Sequence, residues 1–269
     1  MDGKILICGS SDIGNVRPDN QDTIMINGII ERKEVIMRLD REGLFFKHHG
    51  LLCAVADGIG GHKGGAMASH QVLLGLATEM ICFSGIDCQE SKQFLEMLAL
   101  RLHNSMNKQG DLNPGLKGMG TTLTGVYLRP DWGFYFHAGD SRVYRFRGDF
   151  LIQLTTDHVI ENTTGVQGQY IEQGSKSGII TNCIGGGSSL GCRLETGDLS
   201  MEYGDILMLC SDGLSDMLSL EKMEELIFAG QQDLVQTSRD LISEAKQAGG
   251  QDNISLILIA SQRKGGNKR

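Results

Sequence analysis

Short apolar runs in this chain repeatedly begin or end at an aspartate, usually one that lies beside a glycine. Asp57, Asp140 and Asp212 each follow such a run, whereas Asp22 and Asp252 each precede one. Bounded apolar runs of this length predict strands. In an antiparallel sheet the end of one strand lies beside the start of its neighbour. We therefore expect these five carboxylates to gather on one rim of a sheet.

A rim of this kind has a chemical consequence. Closely packed carboxylates repel one another and raise each other's pKa unless a cation neutralises them. Carboxylate oxygens are the ligands that hard divalent cations prefer. Asp-Gly is an ordinary turn dipeptide, so each position alone is more often a turn than a site. Five such turns at equivalent strand ends favour a site for a divalent metal.

Composition narrows the class of protein. The chain has 269 residues and a net charge of -8, which argues against nonspecific nucleic-acid binding. Its seven cysteines are scattered without a C-x-x-C pair, so neither zinc nor a disulfide framework is indicated. Neither a signal-peptide core nor a run of transmembrane length is apparent. We expect a cytoplasmic, monomeric protein that uses no membrane.

The order of predicted elements indicates the fold class. Two helices, 66–83 and 89–107, interrupt the strands, and two more, 219–229 and 231–248, precede a last strand at 253–261. This order predicts an α+β fold, a four-layer α-β-β-α sandwich in which helix pairs flank two packed, mainly antiparallel sheets. No repeat or long linker divides residues 1–269, so we expect one domain. Three segments are expected to lack regular structure: 31–50, a surface flap at about 155–190, and a frayed basic tail at 263–269.

Three further residues have side chains or backbone atoms suited to phosphate chemistry. Arg17 offers a planar fork of donors that matches a phosphate group. Asp57 and the carbonyl of Gly58, in a sharp glycine turn, could bind a metal together. His62 lies close by and could act as a general acid. The alternative without a function is a solvated arginine and a glycine-rich turn. The sequence around Gly58 does not fit a nucleotide-binding loop.

The ordered motifs R-x-x-N-Q-D, V-A-D-G-I-G-G-H, G-T-T, A-G-D-S-R, S-D-G-L-S-D and G-G-Q-D-N-I-S span about residues 8–260. Together they resemble the metal-dependent Ser/Thr protein phosphatases, the PPM or type 2C family, in its bacterial form. Two segments depart from the family pattern. Gly65-Ala66-Met67 replaces a stretch that often contains Glu, and 178–183 replaces an Arg-Asn pair in the flap.

The resemblance implies two Mn²⁺ or Mg²⁺ ions and a weaker third. Asp57 would bridge the two ions, and the Gly58 carbonyl would bind one of them. Asp212 and Asp252 would complete the other, and Asp140 with Asp212 would hold the third ion. The full set of implied metal residues is Asp22, Asp57, Gly58, Asp140, Asp212 and Asp252.

The resemblance also implies the reaction. Arg17 would bind the substrate phosphate, and Asp22 would orient the attacking water. His62 would protonate the leaving oxygen, and Asn253 would support the site without contacting the metals. A metal-bridging water or hydroxide would attack phosphoserine or phosphothreonine directly, since bridging lowers its pKa. The substrates would be phosphoproteins, and the enzyme would oppose a Ser/Thr kinase.

Two other readings remain open at this point. The chain could be a non-catalytic phosphoprotein-binding or sensor module of the same fold, although its metal aspartates are intact. It could also be an acidic α+β protein whose aspartates bind a structural cation. Rival phosphatase chemistries are unsupported, because the chain contains neither C-x5-R nor D-x-D.

Overall fold

The structure is a computed structural model that describes residues 3–59, 62–160, 179–187 and 191–263. Its strands are β1 (Gly3–Asp12), β2 (Thr23–Ile26), β3 (Ile29–Glu31), β4 (Val35–Asp40), β5 (Leu51–Ala56), β6 (Gly58–Ile59), β7 (Gly120–Thr121), β8 (Leu123–Leu128), β9 (Gly133–Ala138), β10 (Arg142–Arg147), β11 (Phe150–Gln153), β12 (Val159–Ile160), β13 (Ile179–Ile180), β14 (Ile184–Gly185), β15 (Glu195–Asp198), β16 (Ile206–Cys210) and β17 (Ile254–Arg263). Its α-helices are α1 (Leu44–His49), α2 (His62–Glu79), α3 (Cys88–Leu112), α4 (Asp212–Ser215), α5 (Leu220–Gly230) and α6 (Leu234–Gln247). Short 3-10 helices cover Met80–Phe83 and Pro114–Leu116.

Two six-stranded sheets form the centre of the fold. The first has the strand order β11-β10-β16-β17-β1-β4, and the second has the order β15-β9-β8-β5-β2-β3. The strand pairs of both sheets are antiparallel throughout the described residues. Two smaller ladders, β14-β7-β6 and β12-β13, lie beside them.

The central strands are apolar on both faces because each face packs against another layer. In β5, Cys53 and Val55 belong to the apolar cluster between the two sheets, whereas Leu52 and Ala54 pack with residues of α2 and α3. This alternation follows the two-residue period of a strand. The first sheet behaves in the same way, because its outer face packs against α5 and α6. Three apolar layers therefore separate four structural layers, and the predicted α-β-β-α sandwich is confirmed.

The predicted boundaries fail in two places. Residues 31–50 were expected to be irregular, but they contain β4 and α1. β4 lies at the edge of the first sheet and alternates between half-buried and exposed residues, so its charged side chains conceal the strand pattern. The tail also begins later than expected, since Arg263 still belongs to β17. Of the flap, 161–178 and 188–190 lie outside the described residues.

The expectation that no run reaches transmembrane length is wrong for one helical stretch. Within the described residues, Gly64–Phe83 is long and apolar enough to cross a bilayer, judged by length and composition alone. In the fold, Val72, Leu73 and Leu76 of this stretch are fully buried in the cluster between α2, α3 and the second sheet. A core helix satisfies the same criterion, and the buried face of this stretch belongs to the core.

Candidate metal centre

Asp22 and Asp57 lie side by side at one rim of the second sheet. The register pairs Thr23 of β2 with Ala56 of β5, so the preceding Asp22 and the following Asp57 leave the ladder at the same point. Asp22 is fully buried, and its Oδ2 accepts a hydrogen bond of 2.7 Å from the hydroxyl of Ser211. Ser211 follows β16 of the other sheet, so this hydrogen bond joins the two sheets at the rim.

Asp212 and Asp252 occupy the matching rim of the first sheet. β16 pairs with β17, and Asp212 follows the first strand while Asp252 precedes the second. Asp140 lies between β9 of the second sheet and β10 of the first, where the chain crosses from one sheet to the other. The five aspartates predicted from strand ends therefore converge at one end of the sandwich.

The electrostatic state of these carboxylates reflects their crowding. Burial, and after it the charge of neighbouring carboxylates, raises the pKa of Asp22 to about 7 and that of Asp212 to about 8. Burial and the negative charges of Asp157 and Asp216 raise the pKa of Asp140 to about 6. The pKa of Asp57 is raised well above its usual value by burial and then by Asp22, Asp212, Asp140 and Asp252. Without a cation, the rim therefore holds protons at neutral pH.

The backbone around Asp57 is held rigidly. Its N–H donates to Thr122 Oγ1 at 3.0 Å, and its carbonyl accepts from Thr121 Oγ1 at 2.7 Å and from the Thr122 N–H at 2.8 Å. At Gly58, a Cβ would lie only 2.3 Å from the backbone oxygen of Gly65, so only glycine allows this approach of β6 to α2. Packing against α2 therefore fixes the backbone of Gly58, the residue that directly follows Asp57.

Arg17 and Asn253 connect the 13–21 loop to the rim. Arg17 Nη2 donates to Asp252 Oδ2 at 2.6 Å, so the predicted phosphate-binding group is paired with a predicted metal ligand. This ion pair raises the pKa of Arg17. Asn253 accepts from the Gln21 N–H at 2.8 Å and donates to the carbonyls of Ile13 and Asp19 at 2.9 and 3.0 Å.

The donor set fits hard divalent cations. Oδ1 of Asp22, Asp140 and Asp212 is buried in each case without a hydrogen-bond partner. Such orphaned acceptors are costly, and a bound cation satisfies them. Within the described residues, however, no group of three acidic, histidine or cysteine side chains is already arranged to hold a metal ion. At Asp252, for example, one carboxylate oxygen accepts a hydrogen bond from Arg17.

The sequence analysis missed two residues near the rim, and the side chain of one predicted residue lies outside the described part of the chain. Sequence reasoning assigned no role to Ser211, although this residue adjoins Asp212 in the S-D-G motif. The Ser211 hydroxyl donates to Asp22 and accepts from the Ser255 N–H at 3.0 Å. It also overlooked Asp216, a further negative charge near Asp140 and Asp212. α2 begins at His62, whose side chain lies outside the described residues, so its role as general acid stays a prediction.

Comparison with known proteins identifies the family. The sequence profile described as Protein phosphatase 2C matches residues 33–255. The chain belongs to the protein phosphatase 2C family. It is therefore a metal-dependent protein Ser/Thr phosphatase that acts on phosphoproteins, as the motif resemblance predicted, and the non-catalytic alternative is not favoured.

Relatives and solved structures agree with this membership in the protein phosphatase 2C family. A putative protein phosphatase 2C-type of Streptococcus pyogenes is 30% identical, covering 94% of this chain and 96% of its own. The S. agalactiae serine/threonine phosphatase structure is 28% identical with a TM-score of 0.79, covering 95% of this chain and 99% of its own. The catalytic domain of PstP in complex with two manganese ions is 26% identical with a TM-score of 0.71, covering 97% and 100%.

Proposed function

We propose that this protein 2C phosphatase hydrolyses phosphoserine and phosphothreonine at the rim where Asp22, Asp57, Asp140, Asp212 and Asp252 converge. The observation that carries the proposal is the set of buried carboxylate oxygens without partners at this rim. Burying ionisable oxygens in this way is destabilising unless a ligand compensates. A catalytic cation explains why the chain keeps them.

Two Mn²⁺ or Mg²⁺ ions would occupy the rim, and the manganese-bound PstP domain supports that number. Asp57 would be a ligand of both ions, the Gly58 carbonyl a ligand of one, and Asp212 and Asp252 ligands of the other. Asp140 with Asp212 would hold a weaker third ion. When bound, such ions supply Lewis-acid stabilisation and an activated water near neutral pH.

The protein residues would divide the remaining tasks. Asp22 would accept a proton or hydrogen bond from the attacking water, because its Oδ2 is oriented by Ser211 and its Oδ1 is free. Arg17 is more than half exposed, so it can exchange Asp252 for the oxygens of a phosphoryl group. His62 would protonate the departing Ser or Thr oxygen. Asn253 would keep the 13–21 loop, and therefore Arg17, against the rim.

The reaction is tested with matched phosphopeptides. The purified protein, stripped with chelator and then given Mn²⁺ or Mg²⁺, should release phosphate from phosphoserine and phosphothreonine peptides faster than from the phosphotyrosine peptide of the same sequence. Equal rates on all three peptides would contradict the proposed substrate class. No release from any of them with either ion would contradict phosphatase activity at this rim.

Replacing Arg17 by Ala should separate substrate binding from metal binding. A hydrogen bond to a charged group contributes about 1.5–3 kcal/mol, so kcat/KM for a phosphopeptide should fall about 10- to 100-fold, mostly through KM. Mn²⁺ affinity should stay equal or improve, because Asp252 gains a free oxygen. Steady-state kinetics and Mn²⁺ titration measure the two effects.

Arg239 provides a matched control for Arg17. Its side chain is 56% exposed and pairs with Glu34, whereas that of Arg17 is 55% exposed and pairs with Asp252. Arg239→Ala removes a similar surface ion pair outside the rim and should leave kcat/KM within about twofold, since exposed ion pairs contribute about 0–1 kcal/mol. An equal loss in both variants would contradict a phosphate-binding role for Arg17.

We further propose that the protein works as a monomer in the cytoplasm and opposes a Ser/Thr kinase. Seven free cysteines support a reducing compartment. Light scattering at micromolar concentration tests the monomer, and a dimer mass would contradict it. Comparing phosphopeptides in cells with and without the protein tests the partner kinase, whose substrates should accumulate phosphate.

A further inference from the structure

His158 holds the backbone next to Asp140 from two directions. Its own N–H donates to the carbonyl of Gly139 at 2.7 Å, and the Gly139 N–H donates back to His158 Nδ1 at 3.2 Å. Gly139 is buried, and its φ of 125° is accessible to glycine but strained for other residues. A Cβ at this position would also lie 2.6 Å from Thr122 Cγ2. The turn that presents Asp140 is therefore closed by His158.

The surroundings of the imidazole determine its tautomer. Nδ1 receives the Gly139 N–H, and Asn182 Nδ2 lies 3.0 Å from the same nitrogen. Two donors directed at Nδ1 require it to be unprotonated, so the proton is on Nε2. Nε2 lies 3.4 Å from Glu195 Oε2, an acceptor at the start of β15. The neutral Nε2–H form thus satisfies the contacts with Gly139, Asn182 and Glu195.

Both neighbours of His158 are themselves anchored. Asp157 accepts from Arg142 Nε and Nη2 at 2.9 and 2.6 Å, which ties the preceding residue to the start of β10. Asn182 donates to the Arg193 carbonyl at 2.7 Å and accepts from the Arg193 N–H at 3.1 Å. The imidazole therefore connects the Gly139 turn to Asn182, which lies in the described part of the flap.

This arrangement bears on cation binding because Asp140 has a buried Oδ1 without a partner. Groups that orient a metal ligand contribute to affinity without touching the metal. We propose that His158, assisted by Asn182, is a positioning residue that sets the direction of the Asp140 carboxylate for a divalent cation. This inference rests on the proposed function only in taking Asp140 as a cation ligand.

Two substitutions of His158 separate its contacts. Asn can place an acceptor oxygen near the position of Nδ1, whereas Gln reaches toward Glu195 but leaves the Gly139 N–H without an acceptor. We expect His158→Gln to weaken the weakest Mn²⁺ site about 10- to 100-fold, the usual range for lost orienting groups. The two tighter Mn²⁺ sites should be unaffected. His158→Asn should stay within about threefold of wild type at every site.

Mn²⁺ titration by electron paramagnetic resonance measures these affinities without reference to hydrolysis. Hydrogen exchange of the Gly139 amide in metal-free protein gives a second readout, with protection expected in wild type and His158→Asn but not in His158→Gln. Equal Mn²⁺ affinity of the two variants, or an equally protected Gly139 amide, would overturn the proposal. If the protein does not hydrolyse phosphopeptides but the two variants still differ in Mn²⁺ affinity, the proposed reaction is contradicted and the role of His158 stands.

Discussion

Asp57→Asn is expected to slow hydrolysis severely while making the metal-free protein more stable. Asp57 is proposed as a ligand of the catalytic cations, and metal-ion catalysis contributes several kcal/mol, so kcat/KM should fall about 10³-fold. The same carboxylate is buried against four others, which raises its pKa and costs stability when it is ionised. A neutral amide of the same shape removes that cost. The midpoint of thermal unfolding in chelator at pH 8 should therefore rise.

Asp131→Asn is the control for this experiment. Asp131 lies exposed in the turn between β8 and β9, at the opposite end of those strands from the rim. Its substitution should change neither the rate nor the unfolding midpoint. Asp57→Asn retaining more than about a tenth of wild-type activity would contradict the assignment of Asp57 as a metal ligand. So would a loss of activity that merely accompanies unfolding.

The stability of the metal-free protein should fall as pH rises from 6.5 to 8.5. Burial and mutual repulsion raise the pKa of Asp22 to about 7 and that of Asp212 to about 8, so the folded state holds protons that the unfolded state has released. The stability that they contribute is fully present below their ordinary pKa near 4 and is lost as pH rises through these folded values. Each proton that the folded state holds and the unfolded state has lost contributes a slope of up to about 1.4 kcal/mol per pH unit.

Urea denaturation in chelator at pH 6.5, 7.5 and 8.5 measures this slope. The window avoids His137, whose burial lowers its pKa to about 4 and which contributes in the opposite direction below pH 6.5. Asp212→Asn should flatten the slope. Mn²⁺ should stabilise the wild type increasingly with pH, because cations and protons compete for the same oxygens. A free energy of unfolding that is constant or rises across the window without metal would contradict a proton-holding rim.

The sequence carried enough information to locate the rim but not to describe its contacts. Asp22 and Asp57 could be predicted to meet, because strand pairing follows from apolar runs and antiparallel order. The Arg17–Asp252 ion pair joins residues far apart in the chain through flexible side chains, which no local pattern specifies. β4 was missed because an edge strand exposes charged residues. The contacts of His158 depend on the conformation of Gly139 and on Asn182, and neither shows a periodic signal.

The most direct test of the account is the rate of phosphopeptide hydrolysis measured as Mn²⁺ is returned to chelator-stripped wild-type protein. Phosphoserine hydrolysis should be absent from the stripped protein and should rise in proportion to occupancy of the tight sites. Full hydrolysis by protein shown to be free of divalent metal would contradict the claim that these carboxylates act by holding cations.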